Sequence, residues 1–419
     1  MRVSRKFVIL VVGIVMAVTT VAVSGVAWAE DSTTSPPPDD TWNTNGIVYS
    51  VFKDGDYVYV GGKFTRVQHK STGQGFPATN VARFYEDDSG MLVGDRNWTP
   101  DVTGADLSST RVYALAAAGG KIWVGGNFEA VDGLPRRDLA AVSATTGEVD
   151  PDVDPLVGSE TNKGIRALLA SEAGDKVYLG GYFTKIDGKG RQHLGALDLS
   201  GNLDNTWKPK TNGMVHSLAY SCDKTAVFAG GKFRSAAGSD GALPGTPRET
   251  LARFGASDGS LHPWAIPVGI VPNEEVAADI AVACADSVDK QVTAGYLGRN
   301  YVRSFQGDTG TLAWENRAAG DVQAVAMRGN DKLIIGGHFS KVYDITDSKG
   351  ITRTRIAQLN LTDGTVDRAW NHTIEGTAAA GVMGPWDLLV DENHLYVGGS
   401  FTLVDGLQRT QFARFTFTP

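Results

Sequence analysis

The sequence predicts an all-β protein, a seven-bladed β-propeller closed by the N-terminal strand pairing into the C-terminal blade. Three observations lead there. One glycine-bearing phrase recurs seven times, the 51 glycines are scattered rather than clustered, and the two chain ends carry complementary parts of a single repeat. With 42% hydrophobic residues the 419-residue chain can bury a sizeable core, and 16 prolines beside so many glycines imply tight turns between short elements. The formal charge of −8 repels a phosphate backbone, which excludes nucleic acid as a partner class.

In chain order, Arg2, Arg5 and Lys6 precede an apolar run from Phe7 to Val23 and the small-residue pattern Ala27-Trp28-Ala29. This is the layout of a signal peptide over residues 1–29, cleaved after Ala29, with an uncleaved anchor as the competing reading. Cleavage leaves 36 basic against 47 acidic residues, a formal charge of −11. No cysteine follows the run to accept a lipid, so secretion into the extracellular space, without membrane attachment, is expected. Residues 30–41, rich in Pro, Ser and Thr, read as a flexible linker, and residues 42–419 as the propeller.

The recurring phrase is YVYVGGKF (Tyr57 to Phe64), KIWVGGNF (Lys121 to Phe128), KVYLGGYF (Lys176 to Phe183), AVFAGGKF (Ala226 to Phe233), LIIGGHF (Leu333 to Phe339) and HLYVGGSF (His394 to Phe401). A degenerate copy, VTAGYL (Val292 to Leu297), lacks one glycine and the phenylalanine. Copies lie 42 to 64 residues apart, the period of a four-stranded blade. Each unit reads as an inner strand such as VHSLAY (Val215 to Tyr220), the glycine strand, a third strand such as RETLARF (Arg248 to Phe254), and a fourth that ends in tryptophan in six units and lacks it at Asp150 to Asp154. The last unit stops after a third strand at Thr418-Pro419, while the chain opens at Trp42 with a fourth. A ring must close, and strands from opposite chain ends are a common way to do it. Trp42, Trp98, Trp207, Trp264, Trp314 and Trp370 are expected to fill the wedges between radiating sheets.

The phrase VYVGGxF, followed in three units by Val/Ile-Asp-Gly (Val131 to Gly133, Ile186 to Gly188, Val404 to Gly406) and then an apolar-Ala-Arg-Phe strand, resembles the bacterial delta-sixty repeat propellers. The resemblance spans residues 42–419 and implies an extracellular propeller. It brings no catalytic residues to carry over.

The chemistry-bearing residues are sparse. None of the seven histidines forms a His-x-His or His-Glu-x-x-His pair, so no metal is expected. Asp150, Asp152 and Asp154 alternate as in a calcium loop, but Pro155 stands where the turn glycine belongs. Cys222 and Cys284 follow the inner strands of adjacent units, a placement that favours a disulfide between them in an exported chain. Arg136, Arg191, Arg248, Arg299, Arg353 and Arg409 open the third strands, where pairing with Asp132, Asp187 and Asp405 or stacking on aromatic rings is expected, with a ring that holds an anionic ligand as the competing reading. Long, irregular loops on one face, among them 66–80, 99–110, 235–247, 266–275, 342–352 and 371–385, nominate that face for binding.

One inner-strand position varies where the repeat otherwise holds: Tyr49, Tyr113, Arg166, His216, Ala278, Gln323 and Trp386. The next residue is Ala or Ser except at Asp279 and Asp387. Tyr49, Tyr113, Arg166, His216, Asp279, Gln323, Trp386 and Asp387 are therefore the candidate ligand-binding residues, at the mouth of the channel. The reading this supports is a monomeric, non-enzymatic binding module for an extracellular glycan, peptide or envelope protein, with no cofactor. Two enzymatic alternatives remain. GDTGTLAWE (Gly307 to Glu315) resembles the docking motif of quinone-binding propellers, and Asp279 with Asp387 is the carboxylate pair a glycosidase or lyase would use.

Overall fold

Seven antiparallel ladders organise the residues described in the computed structural model, which are 36–417 except 107, 159–163, 272–274 and 377–382. The expected signal peptide lies outside them. No helix occurs among the described residues, and so none is long and apolar enough to cross a membrane.

Each ladder has an inner, a middle and a third strand. They are Ile47–Asp54, Tyr57–Lys63 and Val81–Glu86 in unit 1; Arg111–Ala118, Lys121–Asn127 and Leu139–Ser143 in unit 2; and Ile165–Ala170, Lys176–Gly181 and Leu194–Asp198 in unit 3. Unit 4 has Val215–Tyr220, Ala226–Gly231 and Leu251–Gly255, and unit 5 has Val276–Ala285, Val288–Leu297 and Tyr301–Gln306. Unit 6 has Val322–Arg328, Lys332–Gly337 and Ile356–Asn360; unit 7 has Gly384–Val390, His394–Ser400 and Phe412–Thr416. The middle strands are buried on both faces, which is why their phrase is continuously apolar instead of alternating.

The inner strands pack side by side in chain order, and that of unit 7 also packs against that of unit 1. The first glycine of each pair makes this possible, because a Cβ there would collide with the apolar residue of the next inner strand. Gly61 faces Val112, Gly125 faces Ile165, Gly180 faces Val215, Gly295 faces Val322, and Gly398 faces Val48. The tryptophans occupy the wedges as expected. Trp98, Trp207 and Trp264 pack on Tyr59, Tyr178 and Phe228, with centroids 5.1, 4.7 and 5.1 Å apart. Their indole N–H groups donate to Ser143, Gly255 and Gln306 carbonyls of the following unit at 2.9, 2.9 and 3.2 Å.

Three expectations are corrected. Full fourth strands form only in unit 1 (Leu92–Gly94) and unit 5 (Leu312–Ala318); units 2, 3, 4 and 6 keep single bridges at Val149, Leu203, Leu261 and Val366. The residue after each bridge ends the strand, since the side chains of Asp150, Asp204, His262 and Asp367 accept the N–H two residues on. Three of the long loops are not irregular: Arg66–Gln68 with Gly75–Pro77 and Ser235–Ala237 with Thr246–Pro247 form hairpins in small outer sheets, and Lys341–Asp344 with Asp347–Thr352 forms one that extends the unit 5 ladder. Finally, Arg191, Arg248 and Arg353 do not pair with the turn aspartates. Asp132, Asp187 and Asp405 instead accept the N–H groups of Asp101, Leu156 and Thr373 at 2.8, 2.8 and 2.7 Å. Arg191, Arg248 and Arg353 reach the main-chain carbonyls of Asp204, His262 and Asp367 at 3.0, 2.9 and 3.0 Å, tying third strand to fourth segment.

Among the described residues, no ladder joins the N-terminal segment to unit 7, but single bonds do. Asp39 N–H donates to the Arg414 carbonyl at 2.8 Å, Arg409 Nε to the Asp39 carbonyl at 2.6 Å, and Arg414 Nε to Asp39 Oδ2 at 2.5 Å. These bonds begin inside the segment 30–41 that reads as linker. The first strand after it, Asn43–Thr44, pairs with Arg66–Gln68 in an outer sheet.

Candidate functional site at the inner strands

The variable inner-strand position has a structural cause. The ladder between inner and middle strand slips in every unit, and the skipped residue is Tyr49, Tyr113, Arg166, His216, Ala278, Gln323 or Trp386. A β-bulge leaves one residue unpaired and re-aims its side chain. The second glycine of the pair lies opposite: a Cβ on Gly62, Gly126, Gly231 or Gly337 would overlap the carbonyl oxygen of Ile47, Arg111, Met214 or Asp321. In those units the second glycine leaves room for the bulge, while unit 5 bulges with Tyr296 in that place, and in every unit the bulge frees one side chain from the repeat's packing.

All seven bulged residues line one cavity of about 360 Å3, together with Asp279 and Asp387. The structure therefore brings together every residue expected at the channel mouth. Trp386, Tyr49 and Tyr113 form a continuous aromatic arc, with centroids 5.6 and 5.2 Å apart. The Arg166 guanidinium stacks on Tyr113 at 3.8 Å, within cation–π range. Burial, reinforced by the Arg166 charge, pushes the His216 imidazole down to about 4, so it is neutral at pH 7. Burial pushes the Tyr113 phenol up against the opposing pull of Arg166 and Arg111. The Gln323 amide lies against the Met383 and Pro385 carbonyls, and the orientation that satisfies it turns its nitrogen to them (2.6 and 3.2 Å), bracing the Trp386 strand.

The two carboxylates span the gaps between units. Asp387 accepts the N–H groups of Val51 and Leu388 at 2.7 and 2.8 Å, and so joins unit 7 to unit 1. Asp279 accepts Val325 N–H at 2.9 Å and Ile280 N–H at 2.8 Å, and the Ser217 hydroxyl at 2.9 Å, spanning units 4 to 6. Burial raises both carboxyls, and the neighbouring Asp279 charge helps push Asp387 to about 7. Sequence reasoning missed the cavity-lining Ser50, Val51, Leu115, Leu168, Ser217 and Leu218. They sit one or two places after the variable residue, where the apolar repeat pattern reads as plain core.

The other chemical candidates fall into structural places. Cys222 and Cys284 are joined in a disulfide with Cα atoms 5.6 Å apart, clamping units 4 and 5. Asp289 of unit 5 accepts Cys222 N–H beside the bridge at 2.6 Å. Asp150 pairs with Lys121 at 2.6 Å, and among the described residues no cluster of His, Cys, Asp and Glu is arranged to hold a metal ion. The segment Gly307 to Glu315 is a hairpin whose Trp314 donates to the Leu361 carbonyl at 2.6 Å, the same wedge role as the other tryptophans.

Comparison with known proteins agrees with this geometry. Residues 329–369 match the model of a β-propeller domain of unknown function, DUF5122. No curated protein matches the chain. Among solved structures, the WD40 β-propeller domain of Doa1 superposes with a TM-score of 0.55 at 12% identity, over 91% of this chain and 97% of that one. U3-55K gives 0.54 at 10%, over 91% and 100%, and the RRP9 WD40 repeats give 0.54 at 9%, over 91% and 98%. At such identities the likeness establishes the fold, and with the family match it makes the chain a β-propeller.

Proposed function

We propose that this β-propeller is a seven-bladed ring, of the delta-sixty repeat type, that acts outside the cell as a non-enzymatic binding module with its site at the inner-strand cavity. The ring reading rests on the bonds at the chain ends. Asp39 N–H to Arg414 carbonyl repeats the bond that Asp95, Asp150, Asp204, His262 and Asp367 make to their own third strands. Export is supported by the leader-like N-terminus and by the disulfide.

A single observation carries the binding reading: the residue released by the bulge in each unit faces the same cavity, and that is the position where the repeat ceases to repeat. A scaffold needs no such variety there, whereas a ligand site does. The bulges lie near the start of each inner strand, where the long connections arrive, so the cavity opens on the long-loop face. Its aromatic arc suits the flat apolar faces of sugar rings or of peptide side chains.

The test is capture on a glycan array and from cell-envelope extracts, comparing wild type with Trp386→Ala and Tyr113→Ala. Loss of at least about tenfold in affinity in both, with the melting temperature kept, is the expected result. Binding that survives both changes places the site elsewhere. Turnover of a captured glycan that Asp387→Asn abolishes would make the protein a hydrolase instead.

A further inference from the structure

At the second residue after its bulge, each inner strand holds a backbone N–H at the same register on the edge away from the middle strand, and the molecule itself displays what such a group takes. Val51 N–H donates to Asp387 at 2.7 Å, Val325 N–H to Asp279 at 2.9 Å, and Ile280 N–H to the Ser217 hydroxyl oxygen at 3.2 Å. In all three cases the acceptor is the residue just after the bulge of the preceding unit. Leu388 N–H is held by Asp387 of its own strand at 2.8 Å.

The three remaining positions are Leu115, Leu168 and Leu218. They pair with Val124, Leu179 and Ala229 in the register in which Val51 pairs with Val60, so their N–H groups point the same way. The residues placed to supply an acceptor are Ser50, Ala114 and Ala167. Alanine has none, and among the described residues no side chain accepts from these three N–H groups. All three leucines line the cavity, on the side that carries Arg166 and His216. One part of the ring thus brings its own carboxylates to these N–H groups, and the other part, beside a guanidinium, brings none.

Building on the proposed cavity site, we infer that the Leu115, Leu168 and Leu218 N–H groups with Arg166 form an anion subsite for the carboxylate of an acidic saccharide. The uronate ring lies against the Tyr49–Tyr113 faces, and its carboxylate takes the place in this arc that Asp279 and Asp387 take in the other. Backbone N–H groups converging with a guanidinium are a strong carboxylate-binding arrangement.

Backbone donors cannot be mutated, but they can be filled. Ala167→Asp stands where Asp279 and Asp387 stand in their units, and delivers an internal carboxylate to Leu218 N–H. Titration calorimetry with a panel of uronate oligosaccharides, their methyl esters and neutral glucans of equal length would be run on wild type, Ala167→Asp, Arg166→Gln and Trp386→Ala. A wild-type preference of at least about tenfold for free acid over ester, erased in Ala167→Asp and reduced in Arg166→Gln along with its salt dependence, supports the subsite. Arg166→Gln carries the test alone if Ala167→Asp lowers the melting temperature. Equal binding of acid and ester, or no binding of any uronate, overturns the inference. An acidic peptide that competes as well as the uronate overturns the saccharide assignment. Trp386→Ala separates the two levels: neutral glycan binding that it abolishes leaves the cavity reading standing without the anion subsite, whereas binding unaffected by it removes both.

Discussion

In the proposed closure, units 1 and 7 seat the same fourth segment in different ways, one from its own chain continuation and one from the far end of the polypeptide. In unit 1, Asp95 lies 12 residues beyond Arg83; its N–H donates to the Arg83 carbonyl at 2.9 Å and its carboxylate accepts Arg83 Nε at 3.0 Å. In unit 7, Asp39 lies 375 residues before Arg414 and makes the same two bonds, at 2.8 and 2.5 Å. Asp-x-x-Trp reads alike at Asp39–Trp42, Asp95–Trp98, Asp204–Trp207 and Asp367–Trp370. The lesson is that this seat is specified locally, by an aspartate and a facing arginine that exchange the same two bonds, and that covalent continuity is not needed to recognise it. What continuity changes is the entropy of bringing the parts together.

The comparison breaks first at the glycines. Gly62→Ala in unit 1 and Gly399→Ala in unit 7 would each press a Cβ into an inner-strand backbone, at the Ile47 carbonyl and the Gly384 carbonyl respectively. Each is expected to cost about 3 kcal/mol or more by denaturant unfolding. A much smaller loss for Gly399→Ala would mean that unit 7 yields more easily than unit 1.

A finer probe removes the facing arginines. Arg83→Ala strands a nearly buried Asp95 carboxylate and should cost about 3 kcal/mol, whereas Arg414→Ala leaves an Asp39 that is more exposed and should cost about 2 kcal/mol. Equal melting temperatures for wild type and Arg414→Ala would show that the N-terminal segment is not seated in solution, and would sink the proposed closure.

The smallest effect sharpens the comparison inside the units. Asn80, Asp138, Asn300 and Gln411 hold the same left-handed backbone before the third strand, with φ of 65°, 64°, 68° and 66°. Asn80 uses its side-chain oxygen to accept Phe64 N–H at 3.1 Å, but Asp138 puts a carboxyl in that buried place. Burial raises it from 3.8 to about 7, against the pull of Arg137 and the Phe128 N–H, while Glu129 nearby adds to the rise. Because the folded value lies above the unfolded one, the contribution of this one group to stability is greatest below pH 3.8 and is lost as pH climbs through about 7. Asp138→Asn, which also favours the left-handed backbone, should therefore raise stability by about 1–2 kcal/mol at pH 8 and by little at pH 4. A gain that does not change with pH would assign the effect to backbone preference alone.

Much of the architecture was open to reading from residues alone. The Gly-Gly phrase and the tryptophan at the end of six of the seven units each answer to a local packing demand, so they mark strand order and wedge positions without coordinates. The candidate cavity residues were found the same way, as the one inner-strand place where identity is free to vary. Reading failed where the outcome depends on a partner far away in sequence. The third-strand arginines look like partners for the turn aspartates, yet carbonyls of the fourth segment claim them; the fourth strands look complete, yet Asx turns cut most of them to one bridge.

By itself, then, the sequence determined the repeat, the β class, the bulge-permitting glycines and the disulfide partners, because each is a matter of composition and spacing within or between neighbouring units. Only the tertiary structure decided what the inward groups do. Asp279 and Asp387 became ties between units and Leu115, Leu168 and Leu218 kept their N–H groups on the edge away from the middle strand. The direction of an edge strand's donors, and whether a neighbour's side chain reaches them, follows from the register and approach of chains far apart in sequence, which no local pattern encodes.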